Sequence, residues 1–177
     1  MRKPTDSPPP SIGYLAWHLS LRWRAQLDRK LAPLRLTSAQ YGVLASLTGL
    51  SRGGAQPSQR ELADFTGLEP MHVSKLIRAL ERAGLVERAS NPHDTRAVQL
   101  KVTDRGAKVV KAGRATVLAL EEQRLAPLGG RGSEQSAELR ETLLVLLRHT
   151  ETMRSASRQP AAERDLPDER ELVRGGG

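Results

Sequence analysis

The sequence feature that most constrains the fold is a pair of closely spaced helix signals between Ser58 and Gly84. Ser58-Gln-Arg-Glu61 has the form of a capping box, in which each side chain accepts a hydrogen bond from the other residue's backbone N–H. Gly67 predicts the end of this first helix, because glycine readily adopts positive φ. Pro70 is favoured at the start of a second helix, where its missing N–H would be unpaired anyway, and Gly84 ends it. Two short helices joined by a tight turn are typical of a helix-turn-helix.

After Gly84 the apolar residues change from a helical to an alternating period. Residues 85–89 predict a short strand, and residues 97–102 predict a second strand with its apolar side chains on one face. The segment between them is dense in turn-forming residues, so we expect a β-hairpin with a long polar tip that contains Asp94 and Arg96.

Helical periodicity also covers the segments on both sides of this region. Apolar residues recur at spacings of three and four over residues 12–31, and Thr37 opens another capping box before a second helix. Beyond the hairpin, Thr103 is placed to cap a helix that runs to about Leu125, and a last helix is predicted over roughly 136–153. The fold class is therefore mainly α, an α+β winged helix-turn-helix with a two-stranded wing and flanking terminal helices.

These signals divide the chain into successive segments. We expect a disordered lead-in, an N-terminal dimerisation helix, a winged helix-turn-helix, C-terminal dimerisation helices and a disordered tail, over residues 1–11, 12–36, 37–106, 107–153 and 154–177. The first and last helices each carry an apolar stripe that a small winged helix cannot cover. We expect these stripes to pair across the two-fold axis of a homodimer, although an intrachain helical bundle would also cover them.

Composition and charge narrow the function classes. The chain of 177 residues carries a formal charge of +8, which favours a polyanionic partner such as nucleic acid or an anionic membrane. It contains no cysteine, which excludes disulfides, thiolate metal sites and cysteine redox switches. No stretch approaches the roughly 18 apolar residues that cross a bilayer, and no secretory leader is evident. We therefore expect a cytoplasmic protein with no membrane partner.

Enzyme and metal chemistry find little support in the sequence. The glycine pairs lack the Lys-Ser/Thr that completes a phosphate-binding loop, and no serine lies in a nucleophile elbow. The histidines are not spaced by three or four residues, as ligands on one helix face would be; they are His18, His72, His93 and His149. We predict no enzyme, no cofactor and no metal site. A regulator whose zinc ligands assemble from distant segments stays open as an alternative.

The second helix of the pair, residues 70–83, is the candidate nucleic-acid reader. At about 100° per residue its apolar residues fall on one side, and the opposite side and its flanks carry Met71, His72, Ser74, Lys75, Arg78 and Arg82. Such a helix fits the major groove of duplex DNA. Lys75 and Arg78 are the strongest candidates for base contacts, because Lys and Arg offer donors that match guanine O6 and N7. An ordinary solvated helix face would show a similar stripe.

The hairpin tip adds a second candidate contact. A guanidinium such as that of Arg96 on a protruding loop suits the narrow minor groove, where the negative potential is strongest. Asp94 would hold this guanidinium extended through a charge-assisted pair. The alternative is a surface turn whose exposed pair has no measurable effect.

Taken in order, these segments resemble the MarR family of bacterial transcriptional regulators over about residues 12–153. The motifs that carry the resemblance are Leu36-Thr37-x-x-Gln40-Tyr41-x-Val43-Leu44, Glu61-Leu62-Ala63, Val73-Ser74-x-Leu76-Ile77-x-x-Leu80-Glu81-x-x-Gly84-Leu85-Val86-x-Arg88, Pro92-x-Asp94-x-Arg96 and Thr103-x-x-Gly106. The resemblance implies a winged-helix homodimer on a palindromic operator. It also implies a small-molecule effector, often phenolic or anionic, bound between the dimerisation helices and the DNA-binding lobe.

Carried over by position, the resemblance assigns roles to particular residues. Arg96 is the wing arginine and Asp94 its supporting carboxylate, and the DNA-facing elements hold Ser58, Gln59, His72, Ser74, Lys75 and Arg78. Trp17 and Tyr41 lie near the segments where relatives bind ligands. The expected function is a homodimeric repressor of a palindromic operator that a small molecule releases. Activation stays open, and so does a winged-helix module that binds protein instead of DNA.

Overall fold

A computed structural model describes residues 8–91 and 94–158, without the side chains of residues 90–98 and 154–158. It is mainly helical with one two-stranded antiparallel sheet, which confirms the expected fold class. The elements are α1 (Ile12–Leu31), α2 (Ser38–Leu50), α3 (Gln59–Thr66), α4 (Pro70–Arg82), β1 (Val86–Asn91), β2 (Asp94–Val102), α5 (Asp104–Leu125) and α6 (Glu134–Arg158). Short 3₁₀ turns follow α1, α2 and α5 at Ala32–Leu34, Arg52–Gly54 and Ala126–Leu128.

The predicted capping signals begin and end the helices as expected. At the start of α3, the Ser58 hydroxyl accepts the Glu61 N–H at 3.2 Å, and the Glu61 carboxylate accepts the Ser58 N–H at 2.7 Å. An equivalent reciprocal pair begins α2 at Thr37. Gly67 ends α3 with φ of 66°, a conformation that a residue with a Cβ adopts rarely. These ends depend on local hydrogen bonds, which is why sequence alone predicts them.

The main hydrophobic core forms around α2 and the apolar face of α4. Val73, Ile77 and Leu80 of α4 are all 0% exposed. They pack in one cluster with buried residues of α2, α3 and the sheet, which include Val43, Leu44, Leu47, Leu62, Val86 and Leu100. Each such side chain contributes about 1.5–3 kcal/mol through removal of apolar surface from water. The core therefore fixes the rotation of α4 about its own axis.

The hairpin is longer than the sequence predicted. β1 ends at Asn91 and β2 begins at Asp94, which are themselves paired. Asp94 and Arg96 therefore lie within β2, and the expectation of a long polar loop that carries them is wrong. The hydrogen bonds that pair two strands are made by backbone N–H and C=O groups. Polar residues far from the core can therefore extend the hairpin in spite of their turn propensity.

A third segment joins this sheet, and sequence reasoning missed it. The Leu100 N–H donates to the Pro57 carbonyl at 2.9 Å, and Ser58 forms an isolated antiparallel bridge with Gln99. The bridge is too short to show alternation in the sequence. It fixes the start of α3 to the base of the wing.

The last helix also differs from expectation. α6 runs from Glu134 to Arg158, so residues 154–158, which we expected in a disordered tail, are helical. No proline or glycine interrupts this stretch, and arginine and alanine have high helix propensity. The remaining tail, 159–177, and lead-in residues 1–7 lie outside the described residues.

The chain divides into two compact units after Gln123. The expected boundary between residues 106 and 107 falls inside α5, which is continuous. In the second unit a buried Ser136 hydroxyl donates to the Gly130 carbonyl at 2.7 Å and secures the turn that begins α6. The apolar residues along α6 are exposed; they include Leu139, Leu143, Leu146 and Leu147.

The beginning of α5 holds the turn between α4 and β1. The Thr103 hydroxyl donates to the Gly84 carbonyl at 2.9 Å, and Arg105 Nη1 donates to the Ala83 carbonyl at 3.0 Å. Gly106 lies against the Leu85 carbonyl so closely that a Cβ there would collide with it. The same Cβ would lie 2.9 Å from Val102 Cγ1. This close approach explains why glycine stands at position 106 inside a helix.

We predict that Gly106→Ala destabilises the protein by about 1–3 kcal/mol, the usual cost of overpacking. Gly42→Ala is the matched control, because a Cβ at this helical position meets nothing within 4 Å. The control is expected to stabilise by about 0.5–1 kcal/mol, since alanine is the better helix former. Urea unfolding measures both effects. Equal behaviour of the two variants would contradict the close approach at Gly106.

A carboxylate on α1 caps α2. Asp28 Oδ1 accepts the Ser38 N–H at 2.6 Å, and this hydrogen bond lowers the pKa of the Asp28 carboxyl. Because the folded pKa lies below the unfolded value, the charged carboxylate stabilises the protein at neutral pH. This contribution is lost as pH falls through the folded pKa.

We predict that Asp28→Asn lowers the free energy of unfolding at about pH 7 by about 0.3–1 kcal/mol, the usual contribution of a negative charge at a helix N-terminus. The difference from wild type should shrink as the pH falls below the ordinary carboxyl range. Denaturant unfolding at a series of pH values measures it, with Asp64→Asn at an exposed position of α3 as control. If the difference in unfolding free energy between wild type and Asp28→Asn grew as the pH fell, the stabilising role of the charged Asp28 carboxylate would be contradicted.

Candidate nucleic-acid interface

The outward face of α4 presents the residues that sequence analysis selected. Opposite the buried face, Met71 is 77% exposed. His72, Lys75, Arg78 and Arg82 are also exposed, and Ser74 is half-buried on the flank. The helix thus separates a buried apolar face from an exposed and mainly basic face.

Arg78 is partly held along the helix surface. Its Nε donates a long hydrogen bond of 3.4 Å to the Ser74 carbonyl, one turn earlier in α4. A guanidinium has several N–H donors, so this bond engages only part of its capacity. The arrangement restrains the side chain and is compatible with bidentate donation to an acceptor beyond the helix.

The start of α3 contributes the second group of predicted contacts. Ser58 and Gln59 are both half-buried there. The Ser58 hydroxyl accepts the Glu61 N–H in the capping box, and the Glu61 carboxylate accepts the Ser58 N–H. The Ser58 N–H in turn lowers the pKa of the Glu61 carboxyl, so Glu61 stays ionised and the capping box stays closed at neutral pH.

The wing is coupled to α4 by an ion pair that sequence reasoning did not assign. Arg88 Nε of β1 lies 3.0 Å from Glu81 Oε2 of α4, and both side chains are partly shielded from solvent. Glu81 and Arg88 belong to a motif that carries the resemblance to the MarR family, but the sequence alone assigned them no role. Because they lie on different elements, their contact could be found only from the tertiary structure.

Asp94, Thr95 and Arg96 belong to β2, on the part of the hairpin far from α5. Their side chains lie outside the described residues. The charge-assisted pair between Asp94 and Arg96 therefore stays a prediction, as does the minor-groove contact of Arg96.

The two aromatic candidates for effector binding lie in different surroundings. Trp17 on α1 is 57% exposed, and its ring centroid is 4.6 Å from that of His18. Tyr41 on α2 is half-buried, with its ring against Gly113 of α5, and burial raises the pKa of its phenol. A cavity of about 280 Å³ on α1 is lined by neither of them, but by Tyr14, Leu15, His18, Leu19 and Arg22.

Within residues 8–91 and 94–158, no three His, Asp or Glu residues lie together as a metal-binding group. No helix in that part of the chain is long and apolar enough to cross a membrane.

Comparison with known proteins places this geometry among transcriptional regulators. The sequence profile of the MarR family matches residues 36–98. An uncharacterised HTH-type transcriptional regulator of Bacillus subtilis, YdcH, is 33% identical over 117 residues, which cover 66% of this chain and 80% of YdcH. HTH-type regulator BilQ of Clostridioides difficile is 28% identical over 100 residues, or 56% of this chain and 65% of BilQ. These relatives are named as regulators, in agreement with the predicted absence of enzyme activity.

Solved structures agree with this relationship. The reduced form of MarR from E. coli has a TM-score of 0.64 and 25% identity, with coverage of 80% of this chain and 98% of that chain. The MepR–DNA complex of S. aureus has a TM-score of 0.66 at 24% identity, with coverage of 79% and 96%; this likeness concerns the fold. The extent of the YdcH match, together with the family profile, establishes that the chain belongs to the MarR family of helix-turn-helix transcriptional regulators.

Proposed function

We propose that the protein binds palindromic duplex DNA as a homodimer and represses transcription until a small-molecule effector releases it. The observation that carries the DNA contact is the separation of faces on α4. Val73, Ile77 and Leu80 are fully buried on one side, while Lys75 and Arg78 are exposed on the other. A basic face on a helix whose rotation the core fixes can address base edges in a reproducible orientation.

In this proposal α4 lies in the major groove. Lys75 and Arg78 donate to guanine O6 and N7, and Arg82 contacts phosphate further along the helix. Ser58 and Gln59 approach the backbone at the start of α3, and His72 and Ser74 flank the base contacts. The hairpin with Asp94 and Arg96 follows the adjacent minor groove, where the potential is most negative. The fold likeness to MepR, which was crystallised with DNA, supports this docking.

The homodimer is proposed from exposed apolar surface on both terminal helices. α1 exposes Ile12, Leu15, Trp17 and Leu19, and α6 exposes Leu139, Leu143, Leu146 and Leu147. Apolar surface of this extent is typical of an interaction site. A second copy would cover both sets by two-fold symmetry and present two α4 helices to half-sites about one DNA turn apart.

The effector and its site belong to the same proposal. A ligand that binds one arrangement of the two winged lobes more tightly shifts the population toward it and lowers DNA affinity when the half-sites no longer fit. Trp17 and Tyr41 are the proposed ligand contacts. We place the protein in the cytoplasm, where its DNA partner lies.

Charge-removing variants test the DNA contact. We expect Lys75→Ala and Arg78→Ala each to weaken binding of a duplex selected from a random pool by at least about fivefold, the lower value for one lost bidentate base contact. Lys111→Ala, at an exposed position of α5, removes the same charge and should change affinity by less than about twofold. Fluorescence anisotropy over a range of salt concentrations measures all three. Equal losses of affinity in all three variants would indicate that binding depends only on net charge. A wild-type protein without affinity for duplex DNA would support the protein-binding alternative.

A separate pair of variants tests the homodimer. Leu143→Asp places a charge in the exposed apolar stripe of α6 and should shift the protein to monomer, because burial of an unpaired carboxylate is strongly unfavourable. Val145→Asp makes a similar change on another face of α6 and should leave the dimer intact. Sedimentation velocity distinguishes the species. A wild-type protein that sediments as a monomer would contradict the proposal.

A further inference from the structure

Met71 is the apolar exception on the basic face of α4. It is the second residue of the helix, and Lys75, Arg78 and Arg82 follow it at helical spacings that keep all of them on one face. Its side chain is 77% exposed. Such an exposed methionine makes little contribution to the stability of the protein through burial. Because Met71 shares a face with the proposed DNA contacts Lys75 and Arg78, its exposed side chain is placed to meet the bound DNA.

The surroundings of Met71 fix where its side chain projects. Pro70 stands at the first position of α4, and Val73, two residues further on, is 0% exposed in the core. The anchored Val73 directs the opposite side of the first turn outward. In a helix-turn-helix docked by α4, the N-terminal residues of this helix approach the base edges.

The major groove offers one apolar group of a size that suits this side chain. Nitrogen and oxygen donors and acceptors form the rest of the base-edge pattern, and thymine adds a C5-methyl group. A methionine thioether is unbranched and adaptable, so it can pack against a methyl group without a fixed geometry. Lys75 and Arg78, one and two turns away, would supply the polar contacts to neighbouring base pairs.

We propose that Met71 recognises the C5-methyl group of a thymine in each half-site of the bound DNA. This inference rests on the proposed function and adds to it a residue that determines sequence specificity. The contact is apolar, so its contribution is independent of salt, unlike that of the basic residues on the same face.

Replacement of thymine by deoxyuridine tests the contact, since it removes the methyl group alone. In a duplex selected by the wild-type protein, each thymine is replaced in turn together with its symmetry-related partner. At one of these thymine positions we expect the replacement to lower the affinity about fourfold per half-site, which is the effect of one buried methyl group. Met71→Ala should bind the thymine and uracil duplexes within about twofold of each other.

Two control variants separate this contact from general effects. Lys75→Ala should lose overall affinity but keep the thymine-to-uracil ratio of the wild type. Met71→Leu should retain part of the discrimination because its side chain is still apolar. Circular dichroism checks that Met71→Ala folds, which we expect because alanine favours the helix.

The inference and the proposed function fail in different ways. A wild-type protein that binds a selected duplex tightly, yet is insensitive to uracil at every position, would overturn the role of Met71 alone. The same conclusion would follow if Met71→Ala kept the wild-type ratio, or if the selected half-sites contained no thymine. Failure of the proposed function would appear earlier, as the absence of any duplex preference in the wild type.

Discussion

Burial of one face of α4 is the constraint on which the rest of the structure depends. Val73, Ile77 and Leu80 are fully buried, and α2 and α3 both pack against this helix. Because side chains of an α-helix are fixed at about 100° intervals, the buried face also decides which residues face solvent. The basic residues of α4 are therefore oriented by apolar packing on the far side of the helix.

Polar contacts then join α4, the wing and α5 into one unit. The beginning of α5 holds the carbonyls of Ala83 and Gly84 through Arg105 and Thr103. The ion pair between Glu81 and Arg88 ties the last turn of α4 to β1. Since these contacts lie at both sides of one tight turn, α4 and the wing would move together. Such coupling suits the proposed docking, in which α4 and the wing would have to fit adjacent grooves together.

The parts of the fold that sequence predicts are those set by neighbouring residues. The capping boxes at Thr37 and Ser58, the glycine end of α3 and the two faces of α4 all follow from local hydrogen bonds or helical periodicity. The bridge from Ser58 to Gln99 and the close approach of Gly106 to Leu85 join segments distant in sequence, so no local pattern indicated these contacts. The predicted length of the hairpin strands was wrong, because backbone pairing outweighed the turn propensity of the residues near the tip.

Net charge is a weaker guide than the position of each charge. Residues 57–106 hold eight basic and seven acidic residues, whereas residues 1–56 hold eight and two. The proposed DNA-binding region is therefore almost neutral in sum. Its basic character arises because the core turns Lys75, Arg78 and Arg82 to one side while the acidic residues lie elsewhere.

The most direct test of the account is dimethyl sulfate protection of a bound duplex. This reagent methylates guanine N7 in the major groove and adenine N3 in the minor groove. If α4 of each protomer lies in the major groove, bound protein should protect guanine N7 in two clusters about one helical turn, or roughly 10 base pairs, apart. Arg78→Ala should weaken this protection. Protection confined to adenine N3, or guanines left fully reactive in a saturated complex, would contradict the central claim.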